Sequence, residues 1–330
     1  MTWDMIADIG GTNARFARCV DGHIEDVQTY PTKGDTPLAQ MAEEFIDGKP
    51  APRRSVLAMA GPVQDGFAQI TNAKLEGTDQ FQSLDEAQIA PLTTLGQARI
   101  INDFEAAAWA LATVRDSDVT PLQGDGALQP GNRVIVGPGT GLGVGTLVQT
   151  RDGFQAVPGE GGHIGISAQT LDERHVFFAF RKVWPETMIG KGAMRYEAEA
   201  MLSGTGLPKL YQAACASIGQ GSDLTTAAEV LTAAKRGMNN AARVTLEIFR
   251  RQLGQVMGDL AITNHASGGV FVAGGVATKN PWIFDDMFFE GFNDGGREKF
   301  DNHRKSLRVF LYDNENFGLI GSANALTYGS

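Results

Sequence analysis

The chain has 330 residues, 42% of them apolar, and a formal charge of −10. That length accommodates two domains of ordinary size, and the acidic balance argues against a general nucleic-acid surface, which needs a clustered basic field. No apolar run is long enough to cross a bilayer, and Asp4 and Asp8 stand where a signal peptide would carry a basic start and an apolar core. The expectation is a cytoplasmic protein with neither membrane nor nucleic acid as partner. Cys19 and Cys215 are the two cysteines; they form no CxxC pair and read as structural thiols.

The opening stretch, Met5 to Phe16, runs apolar residues into Asp8, sets Gly10 beside Gly11, and passes through Thr12-Asn13 into a second strand. This pattern predicts a β-hairpin. Taken alone, its glycines fit either a tight turn that needs positive φ or an anion site. Asp8 favours the second, because an acid late in an apolar strand is costly to bury without a partner. Amides at paired glycines approach a phosphate with no Cβ in the way, Thr12 and Asn13 add donors, and Asp8 can hold a metal through water. ATP with magnesium suits such a tip.

Farther along, His23 to Tyr30 alternates as a third strand, and Pro37 to Ile46 sets Leu38, Met41, Phe45 and Ile46 at helical spacing. Ser55 to Ala60 is a short apolar strand closed by Gly61-Pro62, and Phe67 to Thr71 is another, ahead of Asn72; residues 73 to 97 carry little pattern. Ala98 to Ile101 then delivers Asn102 and Asp103 to the C-terminal end of a strand, with an Ala-rich helix from Glu105 to Leu111. Open α/β sheets bind their ligands at that edge.

The segment from Thr113 to Asn132, with acids, glycines and two prolines, reads as the passage into a second domain. Arg133 to Val136 restarts the pattern, ends in Gly137-Pro-Gly-Thr-Gly-Leu-Gly143, and returns through Val144 to Val148, a second copy of the opening device. Two phosphate hairpins in two domains imply a cleft between them. Gln155 to Val157 leads into the loop Pro158-Gly-Glu-Gly-Gly-His163. Helices are predicted over about 172–184, stopped by Pro185, and over about 195–202, 225–236 and 238–262; in the last, Phe249, Leu253, Val256 and Leu260 form a buried stripe. Gly269 to Ala273 is a strand ending in Gly274-Gly275, Leu307 to Tyr312 is another, and Gly318 to Leu326 is a helix of small residues.

Spacing separates the glycine-rich designs. There is no G-x-x-x-x-G-K-[ST] run, and the G-x-G-x-x-G fingerprint fails because Leu142 and Val144 stand where its third glycine belongs. A protein kinase's lysine-bearing strand and H-R-D loop have no counterpart.

The two-hairpin arrangement that is left resembles the bacterial glucokinases, in the superfamily of hexokinase, actin and the sugar-kinase half of many repressors. The motifs that carry the likeness are D-I-G-G-T-N at Asp8–Asn13, I-N-D-F at Ile101–Phe104, G-P-G-T-G-L-G at Gly137–Gly143, P-G-E-G-G-H at Pro158–His163, A-G-G-V at Ala273–Val276, and G-L-I-G-S-A at Gly318–Ala323. They span nearly the whole chain in order.

The resemblance implies an α/β protein of two ribonuclease-H-like, actin/hexokinase-type domains around an interdomain cleft, the smaller from residues 1–112 plus 313–330 and the larger from 113–312. It implies ATP-dependent phosphorylation of D-glucose at the 6-hydroxyl, giving D-glucose 6-phosphate and ADP. Gly10, Gly11, Thr12 and Asn13 would hold the γ-phosphate, with Asp8 positioning Mg²⁺. Gly139, Thr140, Gly141 and Gly143 would take the other phosphates, and Gly274 and Gly275 would leave a flat floor for adenosine, although a Gly-Gly pair after a strand often only turns the chain.

Asp103 would be the catalytic base, at a helix start that stabilises a carboxylate; the bland reading makes it a helix N-cap. Asn102, Glu160, His163 and Glu199 would join Asp103 in binding the sugar, Glu199 at the anomeric hydroxyl. The same Glu160–His163 spacing suits metal ligation, but no third ligand lies nearby in the sequence, and the cysteine cluster of zinc-binding repressor relatives is absent. Ile164-Gly-Ile-Ser167 is less polar than the corresponding loop of relatives, and Leu75 stands where they commonly have tryptophan, so the sugar is open between glucose and another hexose such as mannose or fructose. A nucleotide- and sugar-binding regulator without catalysis is the other reading, for which a DNA-binding helix-turn-helix ahead of the first hairpin is expected. Family likeness implies a homodimer.

Overall fold

The structure is a computed structural model that describes residues 2–190, 192, 194–237 and 239–329. Its residue contacts divide the chain into two compact units: 1–114 with 145–159 and 314–330, and 115–144 with 160–313. Residues 145–159 thus group with the first unit, whereas the sequence reading assigned them to the larger domain.

The first unit holds a five-stranded sheet in the order His23–Pro31, Asn13–Val20, Asp4–Ile9, Arg54–Met59, Gln97–Asn102. The first three strands are an antiparallel meander and the last three run parallel. The register sets Ile9 opposite Met59 and Met59 opposite Asn102, which aligns the ends of the three parallel strands at one edge of the sheet.

Alternation in these strands sends Met5, Ala7 and Ile9 into a core with Phe16, Leu57 and Met59, where helix Leu38–Ile46 adds Leu38, Met41 and Phe45. Each buried Met, Ile, Leu or Phe side chain among these contributes about 1.5–3 kcal/mol. Helices Asp103–Ala110 and Phe317–Tyr328 pack together closely because the tail is built from small residues: a Cβ on Gly321 would fall 1.8 Å from the Ala106 carbonyl oxygen. Ser322 Oγ donates to the Ala7 carbonyl at 3.0 Å, and Asn324 Nδ2 to that of Trp109 at 2.9 Å. The stretch from 73 to 97 contains strand Phe81–Asp85, paired with Phe67–Lys74, and helix Glu86–Ile89, whose N-terminus is closed by a reciprocal cap between Asp85 and Gln88.

In the second unit, strands Arg133–Pro138, Gly269–Val272 and Val309–Tyr312 run parallel, with Val119–Gln123 antiparallel at one edge and the start of Leu142–Gln149 at the other. Helices Leu171–Val183, Gly206–Ser217, Ala227–Arg236 and Asn240–Thr263 enclose its core. Phe249, Leu253 and Val256 of the predicted stripe are buried and Leu260 packs at its margin.

The helix expected over 195–202 is absent. Arg195–Glu197 is a strand paired with Gly165–Ser167, and residues 198–205 turn. Tyr196 decides this: its ring is buried between Phe177 and Phe180, and its hydroxyl donates to the Phe177 carbonyl at 2.8 Å. Tertiary packing overrides the helix preference of Ala, Glu, Met and Leu. Cys19 and Cys215 are free and buried, and burial pushes both thiols up.

Candidate active site

At the tip of the first hairpin the Gly10 amide donates to the Asn13 carbonyl at 2.9 Å. Neither Gly10 nor Gly11 has positive φ, so the tight-turn explanation of the pair does not apply. Gly11 instead leaves room for Asn72: a Cβ there would fall 2.1 Å from Asn72 Oδ1 and displace that side chain. Thr12 and Asn13 are exposed.

Asp8 is half-buried and forms an ion pair with Arg15, whose guanidinium also donates to Asn316 Oδ1 at 3.1 Å and to the Glu315 carbonyl at 2.7 Å. Sequence reasoning passed over Arg15. Its position two residues past Asn13 on an antiparallel strand is the available signal, because residue 15 pairs with residue 8.

Asn102 and Asp103 lie where the strand passes into helix Asp103–Ala110. The N-cap is Asn102 and not Asp103: Asn102 Oδ1 accepts from the Phe104 amide at 2.8 Å, while its Nδ2 donates to the Gly61 carbonyl at 2.9 Å. Each end of the Asn102 amide therefore has one capacity engaged in the chain and one left for a ligand. Asp103 occupies the first helical position and also accepts from the Phe104 amide, at 3.0 Å. The Phe104 ring packs 6.4 Å from that of Phe317, and the next residue, Gly318, lies against Asp8. The first unit thus brings together Asp8, the glycine tip, Asn102 and Asp103 through the start of its last helix.

In the second unit, the hairpin at Gly139–Gly143 is closed by the Gly139 amide donating to the Gly141 carbonyl at 2.9 Å. A Cβ on Gly139 would meet nothing within 4 Å. Thr140 is exposed, and Gly143 lies in the returning strand. The following segment holds the hairpin's carbonyls: the Gly204 amide donates to Gly139 at 2.7 Å, and Thr205 Oγ1 to Thr140 at 2.9 Å.

Glu199 is half-buried in the turn after strand Arg195–Glu197, and its Oε2 accepts from the Leu142 amide at 2.8 Å. It is not the exposed helical glutamate that its neighbours' composition suggests.

The Pro158–His163 loop seats Gly162 on the same hairpin, since a Cβ there would fall 1.8 Å from the Leu142 carbonyl oxygen. Glu160 and His163 are exposed; His163 Nε2 lies 3.9 Å from Glu160 Oε2 and its Nδ1 3.7 Å from Glu197 Oε2. Glu197 was unrecognised in the sequence because the strand that aims it there was read as helix. Gly274 has φ +83°, and a Cβ on it would fall 2.8 Å from the Pro138 carbonyl oxygen, so it turns the chain. Gly275 is exposed and faces open space.

The glucokinase family profile matches residues 5–328. The chain belongs to the glucokinase family. It is a sugar kinase. It is 39% identical to the glucokinase of Sinorhizobium medicae (strain WSM419) over 298 residues, covering 88% of this chain and 82% of that one. It is 32% identical to the glucokinase of Nitrobacter hamburgensis (strain DSM 10229 / NCIMB 13809 / X14) over 326 residues, 97% and 96% of the two chains.

Among solved structures, glucokinase from an Antarctic psychrotroph superposes with a TM-score of 0.79 at 27% identity, covering 99% of both chains. A ROK family glucokinase from Streptomyces griseus, in complex with glucose and AMPPNP, shares the fold at a TM-score of 0.56 and 18% identity, covering 98% of this chain and 97% of that one. The fold is thereby that of the actin-like ATPases, as the family resemblance led one to expect. No helix among the described residues is long and apolar enough to cross a membrane.

Proposed function

We propose that the chain phosphorylates D-glucose at its 6-hydroxyl with ATP, releasing D-glucose 6-phosphate and ADP, and that it works in the cytoplasm as a homodimer. Family membership over residues 5–328 is the observation that carries this reading. Asp103 is the base. A carboxylate removes an alcohol proton poorly, but phosphoryl transfer runs through a loose transition state in which positioning and charge neutralisation outweigh early deprotonation. Asp103 therefore orients the 6-hydroxyl first and takes its proton late.

Asn102 uses the free capacity at each end of its amide on a ring hydroxyl, with Glu160, His163 and Glu199 completing the sugar's contacts. The amides of Gly10 and Gly11, with the side chains of Thr12 and Asn13, hold the γ-phosphate. Gly139, Thr140, Gly141 and Gly143 hold the other phosphates, and exposed Gly275, beyond the turn at Gly274, supports adenosine. Magnesium, where bound, would neutralise charge on the phosphates. Asp8 suits it as a single half-buried carboxylate that shares its charge with Arg15, a donor that would hold the ion through water and not by a full cage.

The test is a coupled ADP assay over glucose, mannose, fructose and N-acetylglucosamine. Hexose-dependent ADP release that is fastest per unit KM with glucose supports the reading. ADP release that ignores hexose, or a stronger preference for another sugar, rejects it.

A further inference from the structure

Glu199 lies between two of the elements just described. Its own amide donates to the Gly162 carbonyl at 3.0 Å, fixing it beside the loop that carries His163, while its side chain crosses to the hairpin and accepts from the Leu142 amide at 2.8 Å. A Cβ on Gly141 would come within 2.3 Å of the same carboxylate oxygen, Oε2. One oxygen of an acid thus fills the space that Gly141 leaves over the hairpin, whereas Gly139, two residues earlier, faces open space. The other ties to this hairpin, from the Gly204 amide and Thr205 Oγ1, engage carbonyls and so compete with no anion.

We propose that the Glu199 carboxylate is an internal anion that competes with the nucleotide's phosphates for the second glycine hairpin until sugar draws it away. The proposal rests on the reading of Gly139–Gly143 as a phosphate loop and of Glu199 as a sugar ligand. Two effects act together while sugar is absent. The Leu142 amide is engaged, and a negative charge stands where a second one must arrive. A sugar hydroxyl donating to Glu199 offers the carboxylate another partner, so the amide is released and the charge is partly satisfied by a donor. A ligand shifts an equilibrium only through its differential affinity for the two states, and here that difference lies in one hydrogen bond and one charge. Linkage then requires nucleotide to raise sugar affinity by the factor by which sugar raises nucleotide affinity. Glu199 thereby makes nucleotide binding depend on sugar and limits transfer of the phosphoryl group to water.

The experiment is calorimetric titration of the magnesium complex of AMPPNP into the full chain, with and without saturating glucose. For the unaltered protein, glucose is expected to tighten the analogue about tenfold. Glu199→Gln keeps an acceptor for the Leu142 amide but removes the charge. It is expected to bind the analogue without glucose more tightly than the unaltered protein does without it, recovering the part of the tenfold that the charge carries, and to gain correspondingly less from glucose. Thr205→Val, which removes the hydroxyl donated to the hairpin's Thr140 carbonyl, should leave the tenfold effect in place.

Sugar-free affinity in Glu199→Gln equal to or weaker than in the unaltered protein would overturn the proposal. If Glu199→Gln does not fold, Glu199→Asp, which retracts the carboxylate by one methylene, must move sugar-free affinity in the same direction, and failure to do so is equally fatal. Gly139→Val, placed in open space, tests the underlying reading separately. If it leaves analogue binding intact, the hairpin is not a phosphate loop. If it abolishes binding while Glu199→Gln changes nothing, the phosphate loop stands and only the competition falls.

Discussion

Gly318 lies so close to Asp8 that a Cβ on it would fall 2.4 Å from the carboxylate carbon and 2.6 and 2.7 Å from the two oxygens. The first turn of helix Phe317–Tyr328 is therefore pressed against the acid, where the helix dipole favours negative charge. Gly318→Ala should force the two apart. Overpacking of this kind costs about 1–3 kcal/mol, and displacement of Asp8 should lower kcat at saturating Mg²⁺. Urea unfolding and initial rates measure the two effects; a variant unchanged in both would mean that the contact is slack.

Arg15 supplies the positive charge that Asp8 has when no metal is present, and it is itself held by Asn316 and the Glu315 carbonyl. With Asp8 in its proposed role, arginine and magnesium would compete for one carboxylate. In Arg15→Gln the acid loses its resident partner, so the Mg²⁺ concentration for half-maximal rate should fall about two- to fivefold, while stability drops by about 1–2 kcal/mol from the lost charged hydrogen bonds. A magnesium titration of the initial rate decides it. An increased magnesium requirement would show that Arg15 orients Asp8 and does not compete for it.

Sequence alone made the hairpin strands legible because each is short, alternating and ended by glycine, and it located Asn102 and Asp103 because a strand edge next to an Ala-rich helix leaves few other places for them. The reasons for particular glycines were hidden. Gly162 and Gly321 are needed because backbone atoms from distant segments come too close for a Cβ, and a Cβ on Gly11 or Gly318 would displace the side chain of Asn72 or Asp8; no local pattern reports such an approach. Helix Gly206–Ser217 escaped notice because Gly206 and Pro208 look like breakers, yet both fall in its first turn, where no amide donor is required. Glu197 and Arg15 were missed for a related reason: each acquires its meaning from a strand partner.

Asp103 is half-buried at the first position of its helix, with Asn102 and not Asp103 serving as the cap. Replacing it should spare the fold. Asp103→Asn is expected to lower kcat by about 10²- to 10⁴-fold, the range for loss of a positioned acid–base group, while the KM for ATP changes little. Steady-state kinetics with matched circular dichroism separate these effects. Turnover within a factor of two of the unaltered enzyme would remove Asp103 from the base role.

Two residues past Asp103, Glu105 is buried and accepts from Arg99 Nη2 at 2.7 Å. Burial pushes its carboxyl above the usual range, and Arg99 opposes that rise. A carboxyl whose folded pKa exceeds its unfolded value of about 4.3 makes its full stabilising contribution below that pH and loses it as pH rises through the folded value. Arg99→Met removes the opposing charge and raises the folded value further, so the variant should be destabilised most at neutral pH, by about 2 kcal/mol, and should approach the unaltered protein as pH falls toward about 4.5. Adding Glu105→Gln to Arg99→Met removes the titrating group, so the difference from the unaltered protein should lose that pH dependence and shrink at neutral pH. Urea midpoints at about pH 5 and 7.5 test both variants. A destabilisation by Arg99→Met that is the same at both pH values would mean that the pair acts through packing and not through charge.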